Sequence, residues 1–113
     1  MQDKMKMEGT LLAFSSYKPK QGQEAALMEL VKRHLPTLRE LGLATDNHNY
    51  IAKSSDGRII EVFEWASGQA VGAAHQHPAI ADIWEKMALV ADFLPLNSIP
   101  ESERPFVSFE IVE

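Results

Sequence analysis

The chain contains no cysteine, which removes disulfides, thiolate nucleophiles and Cys-ligated zinc or iron–sulfur centres together, and fits a reducing cytoplasm. Positive charge is also in short supply. Eleven Lys and Arg stand against 16 Asp and Glu, a formal net charge of −5, so there is no basic stripe of the kind that nucleic-acid binding requires. Nucleic acid is therefore not an expected partner. The N-terminal stretch Met1–Met7 is charged, and the first apolar run, Leu11–Phe14, is far too short for a signal-peptide core or a membrane span. Neither export by that route nor a membrane partner is expected. Glycines are few and scattered: Gly68 and Gly72 stand alone, no Gly-x-Gly-x-x-Gly occurs, and nothing resembles a phosphate-cradling loop. No nucleotide cofactor is expected, and the lack of a Gly-x-Ser-x-Gly run leaves no case for a serine hydrolase.

What is present is enough for one core. A length of 113 residues with 45% hydrophobic content is the usual size and composition of a single globular domain. We read residues 1–8 as a flexible N-terminus and residues 9–113 as the domain. No internal repeat, low-complexity tract or linker divides them.

Gly9 to Tyr17 reads as a strand closed by the turn residues Lys18-Pro19-Lys20-Gln21-Gly22. From Gln23 to Leu41 the positions Leu27, Leu30, Val31, His34 or Leu35, Leu38 and Leu41 recur at helical spacing, ending at Gly42. Pro36 lies inside that stripe and predicts a kink, because it removes one backbone hydrogen bond while the apolar pattern continues past it. Leu43–Lys53 and Arg58–Trp65 read as two strands of a hairpin around Asp56-Gly57. Ser67 is placed to cap a short helix to His75, and Pro78 to open a longer one, since its missing N–H costs nothing in a first turn. A loop from Asp92 to Pro105 and a fourth strand over Phe106–Val112 complete the order β-α-β-β-α-β. The fold class is thus α+β, ferredoxin-like, with a four-stranded antiparallel sheet.

These strands are apolar on both faces. Leu11 and Ala13 oppose Leu12 and Phe14, and Ile59, Phe63 and Trp65 oppose Ile60 and Val62. Helices can cover one face of such a sheet, so the other needs a cover that this chain does not itself supply. A second copy packed sheet to sheet is the expected one, which makes the partner a homodimer; the alternative is an apolar ligand pocket on a monomer.

Several residues are candidates for chemistry. His75 has an imidazole that titrates near neutral pH and suits proton transfer; alternatively it satisfies backbone groups at the helix end before Pro78. His77 forms a His-x-His pair with it, but no third ligand can be placed, so no metal is expected and His77 serves equally as a helix cap. Glu61 and Glu64 point to opposite faces of their strand, and whichever faces a closed interior would have its ionised form disfavoured. Trp65 and Trp84 are aromatic walls or core residues, and Trp84 has the register of core. Tyr50, with Asn47, His48 and Asn49, lines a polar cleft mouth or an exposed edge. His34, on the apolar stripe of the first helix, reads as a packed, hydrogen-bonded core or interface residue.

The runs Glu61-Val62-Phe63-Glu64-Trp65-Ala66-Ser67 and Ala74-His75-Gln76-His77-Pro78-Ala79-Ile80 with Trp84 resemble the third strand and second helix of the antibiotic-biosynthesis-monooxygenase-like branch of the dimeric α/β barrel superfamily. Pro36–Leu43, Asp92–Leu96 and the tail through Phe109-Glu110 are similar to an uncharacterised bacterial group within that branch. The resemblance implies a homodimeric α/β barrel with a ligand-sized cleft between the sheet and the second helix. It implies a cofactor-independent oxygenase acting on a small aromatic or quinol-like molecule, or else a non-catalytic small-molecule binder or structural dimer. On that basis His75 and Glu64, the glutamate of the Glu-x-Trp run, are the catalytic candidates, and Tyr50, Trp65, His77 and Trp84 the substrate-binding ones. Trp84 or a neighbour stands where haem-degrading relatives carry an axial histidine, which counts against haem; no cofactor is expected.

Overall fold

The structure, a computed structural model, describes residues 9–103 and 105–113. The expected flexible segment 1–8 lies outside the described residues. The first strand, β1, spans Leu11–Pro19; α1 runs Glu24–Glu40; β2 and β3 are Tyr50–Lys53 and Ile59–Trp65. Then α2 covers Gly68–Gln76, α3 Pro78–Val90, β4 Ala91–Phe93 and β5 Glu110–Ile111, with 3-10 turns at Leu96–Ser98 and Pro100–Glu103. The sheet is antiparallel with strand order β4-β1-β3-β2-β5. Among the described residues, five antiparallel strands and three α-helices make an α+β domain compatible with a ferredoxin-like fold.

The local reasons are mostly those the residues suggest. Gly42 and Gly57 take φ of 75° and 89°, the left-handed region where a side chain is strained, one just past α1 and the other in the β2–β3 turn. Ser67 accepts from the Ala70 N–H to cap α2, and the His77 Nδ1 accepts from the Ala79 N–H to cap α3, with Pro78 in its first turn. Helix α1 is continuous through Pro36, with Leu35 and Leu38 on either side buried.

Three boundaries differ from the sequence reading. The strand expected over Leu43–Lys53 forms only at Tyr50–Lys53, beyond a single bridge between Ala44 and Trp65. Arg39 explains this: its Nε and Nη2 bond the carbonyls of Thr45 and Asn47 at 2.7 and 2.6 Å, drawing those groups away from a ladder. The sheet has five strands rather than four, because the chain extends directly off α3 at Ala91 and pairs Tyr17–Pro19 with Phe93–Ala91. The segment expected as the fourth strand pairs instead at the opposite edge, over Glu110–Ile111 only, against β2. Between the two edges, the chain from Pro95 to Glu103 crosses the sheet face away from the helices and seats Ile99 on Ala52 and Ile60.

Arg58 anchors that crossing. Its Nη1 donates to Ser98 Oγ at 2.6 Å, Nη2 to the Ser98 carbonyl at 2.9 Å and Nε to Asp56 Oδ2 at 2.9 Å. Partial burial pushes the Asp56 carboxyl up, but hydrogen bonds from Ser54 and Arg58 outweigh it and hold the group below its ordinary range. On the helix side, Leu27, Leu30 and Val31 of α1 meet Ile83 and Met87 of α3 over Ile51 and Ile59. A second cluster gathers Leu35, Leu38, Ile80 and Phe63. Phe63 is 2% exposed, so Phe63→Ala removes a filled volume that the surrounding elements cannot close. We expect it to lower unfolding free energy by about 3–5 kcal/mol in a urea titration, and a loss under about 1 kcal/mol would contradict this account of the core.

Candidate functional site

Cross-strand register sorts the strand residues into two faces. Leu11, Ala13, Ser15 and Tyr17 share the helix side with Trp65, Phe63, Glu61 and Ile59, their direct partners. Glu61 therefore points into the interior beneath α1, where His34 of the helix stripe comes down to meet it. The His34 Nδ1 lies 3.0 Å from Glu61 Oε1 and 3.1 Å from Oε2, with the two side chains 3% and 1% exposed. Tyr17 donates its hydroxyl to Glu61 Oε1 at 2.8 Å, and Trp84 donates its indole N–H to His34 Nε2 at 2.9 Å.

These bonds decide the tautomer. An indole N–H only donates, so Nε2 of His34 is the acceptor and its ring proton sits on Nδ1, directed at the carboxylate. The result is a directed chain from Trp84 through His34 to Glu61, joined there by Tyr17. A buried carboxylate is costly unless its oxygens are bonded, and Glu61 receives donors on both. Burial raises the Tyr17 hydroxyl well above its ordinary range, and the Glu61 charge adds to it, because ionising Tyr17 would set two anions side by side.

One end of this chain forms the wall of a cavity. A space of about 410 Å³ is lined on the helix side by Ser15, Tyr17, His34, Phe63, Trp65, His75 and Trp84. Phe14, Ser16 and the segment Phe93–Leu96 line it around the edge of β1, where β4 pairs only Tyr17–Pro19 and the chain then turns away. The Ser16 hydroxyl at this wall is buried and has no hydrogen-bond partner among the described residues. Glu61 also reaches a second, 230 Å³ space on the far side of α1, with Lys32, Arg39 and Asn49 around it.

No family model, curated protein or solved structure matches this chain.

The residues singled out by sequence divide between this cavity and elsewhere. His75 stands in the last turn of α2, exposed, with its ring centroid 4.8 Å from that of Trp84, and both line the cavity together with Trp65. Glu64 opposes Leu12 on the other sheet face and accepts from Asn47 Nδ2 at 2.7 Å, so it does not reach this space. Tyr50 also belongs to the far face and stacks edge-on with His48 at 4.6 Å. His77 is occupied in capping α3. No group of three or more metal-ligating side chains occurs among the described residues. His34 and Glu61 carried separate signals, an imidazole on a helix's apolar stripe and a carboxylate between Ile60 and Val62. Their pairing depends on how α1 sits over β3, which neither local pattern encodes.

Linkage gives a pH signature. Tyr17 has a folded-state pKa above its unfolded one, so its contribution to stability is fully present below about pH 10 and is lost as pH rises beyond that. We expect Tyr17→Phe to cost about 1–3 kcal/mol at pH 7, since Glu61 loses a donor, and to flatten the alkaline decline measured by urea midpoints from pH 8 to 11. An unchanged alkaline slope in the variant would show that other groups set it.

Proposed function

We propose that this protein is a homodimeric small-molecule enzyme similar to the antibiotic-biosynthesis-monooxygenase-like branch of the dimeric α/β barrels, oxygenating a flat, quinol-like substrate without a cofactor. The observation that carries the reading is a buried carboxylate–imidazole pair set in the wall of an aromatic-lined cavity. A carboxylate behind an imidazole orients the ring and stabilises the charge it acquires on taking a proton. Removing the hydroxyl proton of a quinol-like ligand leaves an electron-rich anion, which itself reduces the co-reactant dioxygen. His34 backed by Glu61 is the base, Trp65 and Trp84 are the aromatic walls, and His75 guards the mouth. The unpartnered Ser16 hydroxyl supplies a polar contact for a ligand oxygen.

Non-catalytic binding has one observation in its favour. His34 Nε2, the nitrogen that a base would use, is already occupied by the Trp84 indole. Turnover separates the two readings. On the enzyme reading, His34→Ala lowers oxygen consumption with the best phenol or quinol of a substrate panel by about 10²–10⁴-fold. Equal rates in both proteins leave binding alone; a panel in which no compound stabilises the protein against heat removes the aromatic cleft.

The second copy covers the sheet face away from the helices. Leu12, Phe14, Tyr50 and Ile111 are 64%, 50%, 43% and 63% exposed there, with Val62 between them half-buried. Contiguous apolar surface of this kind marks an interface, and an isologous pairing about a two-fold axis buries the same strand residues on both chains. Ile99 and its 3-10 turns cover only the Ala52–Ile60 region of that face. We expect light scattering at micromolar concentration to return twice the 12.6 kDa of one chain, and Phe14→Glu to return one. A folded wild-type protein of single-chain mass, with no apolar molecule bound, would sink the dimer.

A further inference from the structure

Trp84 spends its only polar group on a histidine that has a single lone pair to offer. The ring proton of His34 is committed to Glu61, so Nε2 is the one nitrogen at which this side chain can accept anything else, and the indole stands over it at 2.9 Å. Unlike Ile83 and Met87 of the same helix, which are sealed in the core, Trp84 is half-buried and forms part of the cavity wall. The exposed ring of His75 lies 4.8 Å from it, beside the two hydrophobic clusters on which the indole also packs. The indole and the imidazole it bonds both line the cavity, so a ligand there meets the indole at the one acceptor His34 has to offer.

We propose that Trp84 is a latch: a flat ligand presenting an O–H or N–H donor takes the place of the indole at His34 Nε2 and exposes the Glu61-backed imidazole to the ligand's proton. The inference rests on the cavity being a ligand cleft, as in the preceding reading. In the step itself the ligand's O–H or N–H bond breaks, a bond from hydrogen to Nε2 forms, and the ligand keeps the electron pair as an anion. The imidazolium so formed lies against the Glu61 carboxylate. The titratable groups around it are Glu61 from β3, Tyr17 from β1 by way of Glu61, and His75 from α2 by way of Trp84. Acceptor-only ligands of the same shape leave the latch shut, since Nε2 has no proton to give them. Selectivity for donors thus arises at a nitrogen that the resting protein hides.

Two measurements test this. An imidazole nitrogen whose lone pair is unoccupied attacks a carbonyl of diethyl pyrocarbonate, gaining a carbethoxy group and releasing ethanol and carbon dioxide, and modification of each histidine is followed by peptide mass spectrometry. We expect His34 to react about tenfold faster in Trp84→Phe than in the wild type, an ordinary hydrogen bond's worth of protection, with His75 and His77 unchanged. Phe63→Leu loosens the same wall but keeps the indole N–H, and it should leave His34 at the wild-type rate; equal rates in Trp84→Phe and wild type, or an equal rise in Phe63→Leu, would overturn the latch. The second measurement compares 4-nitrophenol with 4-nitroanisole, which matches its outline without a donor. The Trp84 indole N–H resonance should move on binding the phenol and stay in place with the anisole. If both bind and the indole responds to neither or to both alike, the latch falls while the cleft stands. If neither binds, the cleft reading falls and the latch with it as a ligand device, leaving the carbethoxylation rates to report only on the resting bond.

Discussion

The Glu61 carboxylate is the constraint around which the helix side of this domain is arranged. An ion taken out of water to 1% exposure costs several kcal/mol unless its oxygens find donors, and those donors must come from separate elements because the strand neighbours that turn inward with it, Ile59 and Phe63, have none to give. Tyr17 reaches it from the adjoining strand and His34 from the helix above. Each donor fixes a distance between elements: Tyr17 ties β1 to β3, His34 ties α1 to the sheet, and Trp84 ties α3 to α1. The two hydrophobic clusters on either side could be filled by many combinations of Leu, Ile and Met, whereas this network adds directional bonds that a shift of register would break.

The same network explains why a cavity survives beside a packed core. Tyr17, His34 and Trp84 are held by directional bonds, so they do not relax into the space next to them as aliphatic side chains would. The edge of β1 leaves the space open, because β4 is only three residues long and the chain departs at Leu94 and Pro95. On the opposite face the Arg58 clasp does the reverse, drawing the Pro95–Glu103 crossing down over Ala52 and Ile60. One face thus keeps a polar-walled hollow, and the other keeps an apolar strand surface that is covered in part.

Much of this architecture was legible from residue patterns. The helical spacing in α1, the Asp-Gly turn, the Ser67 cap and the Pro78 start all depend on neighbours within a turn or two, and each appears in the structure at or near its expected place. The misread boundaries share one cause. Thr45 to Asn49 lost their strand to the Arg39 side chain, and Phe106 to Phe109 lost theirs because Ala91–Phe93 had already taken the edge beside β1. In both places a contact made by another part of the chain overrode a plausible local preference.

The sequence by itself determined that this is an α+β domain with a strand set greasy on both sides, because the period of apolar residues is a property of the chain alone. It also showed that Glu61 and Glu64 must face opposite ways, since neighbours three apart on a strand always do. Only the tertiary structure decided that Glu61 is the inward one, that His34 rather than His75 meets it, and that Trp84 covers the imidazole. Those facts depend on where one helix comes to rest over one strand, a matter of three-dimensional packing that no spacing along the chain records.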